Sequence, residues 1–174
     1  KAMKSCKYIF HLAAMLGVKY TEDNKLECLE INCTGTKNVL TAAVITKAYK
    51  ILFASSSEVY GEPKSNPVSE NFSTKGKTIY GISKMVGEEY CKSFNQEYNL
   101  KYTILRYFNT YGPSQKNKFV ITKFISNVIN NKPILINGNG KQLRSYMYVT
   151  DASKATVKAA FTSKTDNMIF NVGN

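Results

Sequence analysis

The chain has 174 residues, enough for one well-filled core and normally a single domain, and 43% of them are apolar, as in an ordinary globular protein. Lysine and arginine total 24 against 12 aspartates and glutamates, a net charge of +12, but the lysines stand singly with acidic residues between them. No arginine-rich arm or nucleic-acid motif accompanies that charge, so it reads as a solvated surface whose positive field attracts a small anion such as a nucleotide diphosphate. No run approaches the ~20 apolar residues that span a bilayer, and the start, Lys1-Ala2-Met3-Lys4-Ser5, lacks the apolar core of a signal peptide, which points to a cytoplasmic protein. Cys6, Cys28, Cys33 and Cys91 form no CxxC pair and His11 is the sole histidine, so reduced, buried thiols and no metal site are expected.

Along the chain, short apolar runs alternate with longer periodic stretches. Tyr8-Ile9-Phe10-His11-Leu12-Ala13 reads as a buried strand, and residues 26–43 as a helix with Leu29, Val39, Leu40 and Ala43 available for a core face. A second strand over 50–54 ends in Ser55-Ser56-Ser57-Glu58. Residues 61–77, with Pro63, Pro67 and Gly76, read as a loop, followed by a helix over 80–97 and a third strand, Tyr102-Thr103-Ile104-Leu105. The stretch Asn109-Thr110-Tyr111-Gly112-Pro113 breaks the chain before a helix over 119–129 with apolar positions at Phe119, Val120, Phe124, Ile125 and Val128. A short strand at Pro133-Ile134-Leu135-Ile136, a turn at Asn137-Gly138-Asn139-Gly140 and an apolar stretch over 145–149 come next. Asp151 is expected to cap a helix over 152–161, and Ile169-Phe170-Asn171-Val172 closes as a strand. This alternation predicts an α/β fold, a parallel sheet flanked by helices.

The chemistry-bearing stretch is Tyr80-Gly81-Ile82-Ser83-Lys84. A tyrosine and a lysine four apart on a helix face the same way. A lone phenol titrates near pH ~10, whereas a nearby ammonium favours the phenolate and lets it take a proton from a substrate hydroxyl. Tyr60-Gly61-Glu62-Pro63-Lys64 repeats the spacing, but Pro63 forbids the helix that would align that pair.

In order, His11-Leu12-Ala13-Ala14, Asn32 with Gly35-Thr36, Ser55-Ser56-Ser57-Glu58-Val59-Tyr60-Gly61, Tyr80 with Lys84, Arg106-Tyr107-Phe108-Asn109, Tyr111-Gly112-Pro113, Gly138 with Gly140, and Arg144 resemble the extended short-chain dehydrogenases/reductases that rework nucleotide-activated sugars. The resemblance implies a Rossmann-like sheet over 1–112 and part of a small nucleotide-sugar-binding domain over 113–174, with a return to the first sheet near 168–174. Family members begin with a glycine-rich βαβ unit and no such turn precedes Tyr8. The chain therefore resembles the middle of a longer protein, inactive as an isolated stretch.

From the resemblance, NAD is the cofactor, a nucleotide-diphosphate sugar the substrate and a homodimer the assembly, through the helices over 26–43 and 80–97. Tyr80 is implied as the base on the sugar 4-hydroxyl, Ser56 as donor to the same oxygen, and Lys84 as the residue that holds the nicotinamide ribose and lowers the tyrosine pKa. Leu12, Ala13, Ala14, Asn32, Ser55 and Phe108 are implied at the cofactor, and Ser57, Asn109 and Arg144 at the substrate, the arginine gripping phosphate with its multi-donor fork. A 4-epimerase of the UDP-glucose type is the favoured reaction. Ser-Ser-Glu also resembles the Thr-Ser-Glu of GDP-mannose dehydratases and UDP-glucuronate decarboxylases, in which a glutamate matching Glu58 assists a second step, whereas Ser57 departs from the Asp-Glu pair of dTDP-glucose 4,6-dehydratases. A non-catalytic NAD-binding protein is the alternative of another class, and a nucleic-acid binder the remote one.

Overall fold

The computed structural model describes residues 3–63, 65–116, 119–136 and 138–174. Of the sequence readings, those on Lys64 and Asn137 lie outside the described residues. Four strands, β1 (Tyr8–His11), β2 (Lys50–Ser56), β3 (Lys101–Tyr107) and β6 (Met168–Val172), form one sheet in the order β1-β2-β3-β6, parallel throughout. Parallel pairing needs crossovers, and helices supply them: α1 (Val18–Asp23), α2 (Lys25–Leu29) and α3 (Gly35–Ile45) between β1 and β2, and α4 (Ile79–Tyr98) between β2 and β3. Beyond β3 come β4 (Asn109–Tyr111), α5 (Val120–Ile129), β5 (Tyr146–Tyr148) and α6 (Val149–Phe161) before β6; β4 and β5 pair in parallel as a separate two-stranded ribbon.

Strand alternation sorts the core into two faces. Ile51, Phe53, Tyr102 and Ile104 pack with Leu40, Ala43 and Cys91 beneath α3 and α4, while Leu52, Leu105 and Val172 pack with Ala152, Ala159 and Ala160 beneath α6. Helix α4 lies close on the sheet because Gly87 faces Phe53: a Cβ there would come within 2.3 Å of the ring.

The second face is tied at the amino end of β2 by Lys50, which is fully buried. Its ammonium donates to the Ala159 and Thr162 carbonyls at 2.9 and 3.3 Å and to Thr165 Oγ1 at 2.8 Å, and pairs with Asp166 at 2.7 Å. A cation thus satisfies carbonyls at the carboxyl end of α6, where the helix dipole is negative.

Five expectations are corrected. Helix α6 begins at Val149 with Tyr148 at its N-cap, so Asp151 is not the cap; it sits in the first turn, where a carboxylate still complements the dipole. No strand forms over 133–136, an exposed segment without a paired edge, and β4 forms within the stretch read as a chain break, because β5 provides it with a partner. The helix over 26–43 is not uniform: residues Glu30–Thr34 widen into a π-turn between α2 and α3. Of the cysteines, Cys28 and Cys91 are buried, Cys33 is half-buried and Cys6 is exposed.

Replacing Lys50 with methionine removes four polar contacts and strands Asp166 beside the α6 terminus. A loss of about 3 kcal/mol is expected, read as a lower midpoint in equilibrium urea unfolding with an unchanged slope.

Candidate active site

The carboxyl ends of β2 and β3 and the first turns of α4 converge on one pocket of about 450 Å³, the position at which open parallel sheets bind ligands. Strand β2 delivers Ser55 and Ser56 to its rim, and the 3-10 turn Ser57–Tyr60 follows, capped by the Ser56 hydroxyl accepting from the Glu58 N–H at 3.2 Å. Tyr80 enters from the first turn of α4. That turn starts where Thr78 Oγ1 accepts from the Gly81 N–H at 3.0 Å and Glu22 accepts from the Ile79 N–H at 2.7 Å. Gly81 lets the helix start press on the turn: a Cβ would sit 2.7 Å from the Glu58 carbonyl oxygen. The close approach sets Tyr80 against Ser56 and Glu58.

Burial pushes the Tyr80 phenol up to about 12; a hydrogen bond with Ser56 draws it partly back, and the Glu58 charge adds to the rise. Lys84, one turn on, is buried and donates to the Ala54 carbonyl at 2.7 Å, with its ammonium 5.0 Å from the Phe53 ring centre and 5.7 Å from that of Tyr80. Burial lowers its pKa to about 8. The expected depression of the tyrosine by the lysine is therefore not seen in the protein alone, where removal from water outweighs a charge directed at a carbonyl. His11, whose Nε2 lies 2.9 Å from Thr36 Oγ1, is lowered to about 4 by burial and by the Lys84 charge.

Of the residues singled out from sequence, Leu12, Ala14, Ser55, Ser56, Ser57, Glu58, Tyr80, Lys84, Phe108 and Asn109 line the pocket. Ala13, Asn32 and Arg144 do not. Ala13 is exposed. Asn32 is buried in the π-turn, where its side chain accepts from the Met15 N–H at 2.8 Å and donates to the Met15 carbonyl and Ser83 Oγ at 3.0 Å. Ser83 in turn donates to the Tyr80 carbonyl at 2.7 Å, so Asn32 joins the segment after β1 to the helix that carries the tyrosine. Arg144 is exposed and donates to the Leu143 carbonyl. Asn109 donates to the Ser145 carbonyl at 3.1 Å.

The wall that includes Tyr107, Thr110, Tyr111, Gln115, Phe119 and Tyr146 was given no site role from sequence, although Tyr107 and Tyr111 stand in the motifs quoted above. Nor was Glu88, which joins Ser55 to Arg106 behind the pocket. The one local signal for Glu88 was its place four residues after Lys84. Tyr60, of the discounted Tyr60-Lys64 spacing, is buried and bonded to Arg106.

A Rossmann-type sheet with a serine, a tyrosine and a lysine gathered at its carboxyl edge defines a class of dinucleotide-dependent proteins, and comparison with known proteins gives the family. The model of the NAD dependent epimerase/dehydratase family matches residues 1–173, and the chain belongs to that family. Curated relatives include the UDP-N-acetyl-alpha-D-glucosaminuronate decarboxylase of Bacillus cytotoxicus, 41% identical over 95% of this chain and 53% of its own length. A putative UDP-glucose 4-epimerase of Methanocaldococcus jannaschii is 40% identical over 98% of this chain and 56% of its own. Among solved structures, the UDP-N-acetylglucosamine 4-epimerase of Methanobrevibacter ruminantium, in complex with UDP-N-acetylmuramic acid, superposes with a TM-score of 0.95 at 34% identity over 99% of this chain and 56% of that one. The UDP-glucuronic acid 4-epimerase of Bacillus cereus, with UDP-glucuronic acid and NAD, does so at 0.93 and 31% over 99% and 55%. The chain thus spans about half the length of the relatives it matches. No helix among the described residues is long and apolar enough to cross a membrane.

Lys84 carries a buried charge that the folded protein holds at a cost. Its pKa of about 8 lies below the ordinary 10.5, so the penalty is present below pH 8 and fades as pH rises toward 10.5, where the unfolded chain also loses the proton. Lys84→Met should raise the stability of the protein without cofactor by about 1–3 kcal/mol at pH 7. Thermal melts from pH 7 to 10.5 should show that advantage shrinking.

Proposed function

We propose that the protein is an NAD-dependent enzyme acting on nucleotide-diphosphate sugars through a transient 4-keto sugar, with 4-epimerisation of the UDP-glucose type as its reaction. The supporting observation is the meeting of Ser56, Tyr80 and Lys84 in one pocket. A non-catalytic dinucleotide-binding protein has no need of those three groups in register. The residues present fit the nicotinamide end of the cofactor. Lys84 is a buried cation whose single hydrogen bond among the described residues, to Ala54, leaves two N–H donors for ribose hydroxyls, beside walls made by Leu12, Ala14 and Phe108. When bound, NAD supplies the acceptor for the hydrogen leaving carbon 4 and its later return.

The chain's own groups manage the proton. Tyr80 takes it from the 4-hydroxyl, Ser56 holds the same oxygen as the carbonyl forms, and the Lys84 charge favours the phenolate once ligands reorganise its contacts. Tyr107, Tyr111 and Tyr146 form the wall beside which the sugar turns over, and Asn109 bonds the diphosphate. In this reading residues 1–112 belong to the cofactor-binding domain and also bring Ser56, Tyr80 and Asn109 to the substrate, and residues 113–174 belong to the sugar-nucleotide domain, with 168–174 returning to the sheet.

A second reading is favoured by one observation: Glu58 lines the pocket beside Tyr80, where a carboxylate serves elimination or decarboxylation, and one relative is named a decarboxylase. Incubating the natural-length protein with NAD and a panel of UDP-, dTDP- and GDP-sugars, followed by NMR of the anomeric protons, separates the two. Interconversion of gluco and galacto signals without loss of mass supports epimerisation, and a 4-keto-6-deoxy or pentose product supports the second reading.

Tyr80→Phe should lower kcat by roughly 10²–10⁴ with KM little changed. Glu58→Gln should leave epimerisation within about threefold. A kcat unaffected by Tyr80→Phe would sink the proposed role of the phenol.

A further inference from the structure

Tyr80, Lys84 and Glu88 stand one turn apart on the sheet-facing stripe of α4. Tyr80 and Lys84 enter the pocket, and Glu88, 2% exposed, lies behind it. One carboxylate oxygen accepts from the Ser55 hydroxyl at 2.5 Å and from Arg106 Nε at 2.9 Å; the other accepts from Arg106 Nη2 at 2.7 Å. Ser55 and Arg106 are register partners on β2 and β3, so one carboxylate spans the seam between the two strands. Arg106 Nη1 continues to the Tyr60 hydroxyl at 2.8 Å and the Glu70 carbonyl at 3.0 Å, and Tyr60 donates to Asn171 on β6 at 2.7 Å.

We propose that Glu88 is a positioning residue: its carboxylate fixes how far α4 lies along the sheet and thereby how Tyr80 and Lys84 stand relative to Ser56. The inference rests on the proposed role of that trio. Apolar contact between helix and sheet is non-directional and tolerates sliding along the helix axis. Gly81 and Gly87 permit the close approach of α4 but supply no hydrogen-bonding side chain to fix it. Beside the single Lys84 contact to the Ala54 carbonyl, Glu88 supplies the directional contacts of this stripe that reach both β2 and β3, and its anchor, Ser55, adjoins Ser56 in the chain. A displacement of about 1 Å between reacting groups costs on the order of 100-fold in rate.

The test separates positioning from stability. A buried ion pair replaced as a unit by apolar residues often keeps its stability, so the natural-length protein is compared with E88M/R106M and with E88Q, each labelled with carbon-13 at the tyrosine ζ carbon and assigned with Tyr80→Phe. In the double variant the unfolding midpoint should stay near wild type, the Tyr80 resonance should move, and kcat should fall about 10- to 100-fold with KM changed less than about threefold. E88Q, which keeps the shape and loses the charge, should show the same shift to a smaller degree and carries the test if the double variant does not fold. A Tyr80 resonance coincident with wild type, or a kcat restored together with stability in E88M/R106M, overturns the proposal. If the wild-type protein converts no nucleotide sugar while the resonance still moves, positioning stands and the proposed reaction falls.

Discussion

The Glu88–Arg106 ion pair ties together more of this molecule than any other polar contact described, because its two partners belong to a helix and a strand and their remaining hydrogen-bond capacity reaches three further segments. Two charges taken out of water cost several kcal/mol each unless every donor and acceptor is met. Here they are met by a bidentate contact, by Ser55, by Tyr60 and by the Glu70 carbonyl. Burial alone opposes the Arg106 charge, yet the hydrogen bonds to Glu88 and Tyr60 hold its pKa above the ordinary range. The loop after the 3-10 turn is drawn in as well: the Asn171 side chain accepts from Tyr60 and donates to the Val68 carbonyl, and its backbone N–H donates to the Glu70 carboxylate. A chain segment rich in polar residues and proline thereby acquires a defined path over the sheet edge.

The two ends of β2 show the same economy with opposite purposes. At the amino end, Lys50 closes the helix α6 terminus and has no part in the pocket. At the carboxyl end both serines line the pocket, but strand alternation divides their hydroxyls: Ser55 donates to the Glu88 carboxylate on α4, and Ser56 accepts from the Glu58 N–H. Adjacent serines of identical chemistry therefore do different work because successive side chains of a strand point to opposite faces.

Burial shifts Tyr80 and Lys84, which line the pocket, and His11, which does not, alike toward their neutral forms. A phenol at about 12 and an ammonium at about 8 have little tendency to ionise as a pair in the protein alone. A ligand that brings hydroxyls to Lys84 and an oxygen to Tyr80 would replace the lost hydration with fixed dipoles, the arrangement that makes a proton transfer favourable only when the site is filled.

Much of this was legible in the chain. Alternating apolar runs led to the parallel sheet and its helices, and the ordered motifs from His11 to Arg106 led to the family and to most of the pocket floor. Those signals are local: a strand end, a helix start and a spacing of four residues are written in consecutive positions. The pairing of β4 with β5, the contacts of Asn32 and those of Glu88 were not, because each depends on a partner distant in sequence. Asn32 meets Ser83, Ser55 meets Glu88, and Arg106 meets both Glu88 and Tyr60 only after the crossovers close. Which residues can do chemistry was determined by the sequence by itself; which of them face one another was decided by the tertiary structure, since hydrogen bonds act over about 3 Å and only folding brings such partners that close.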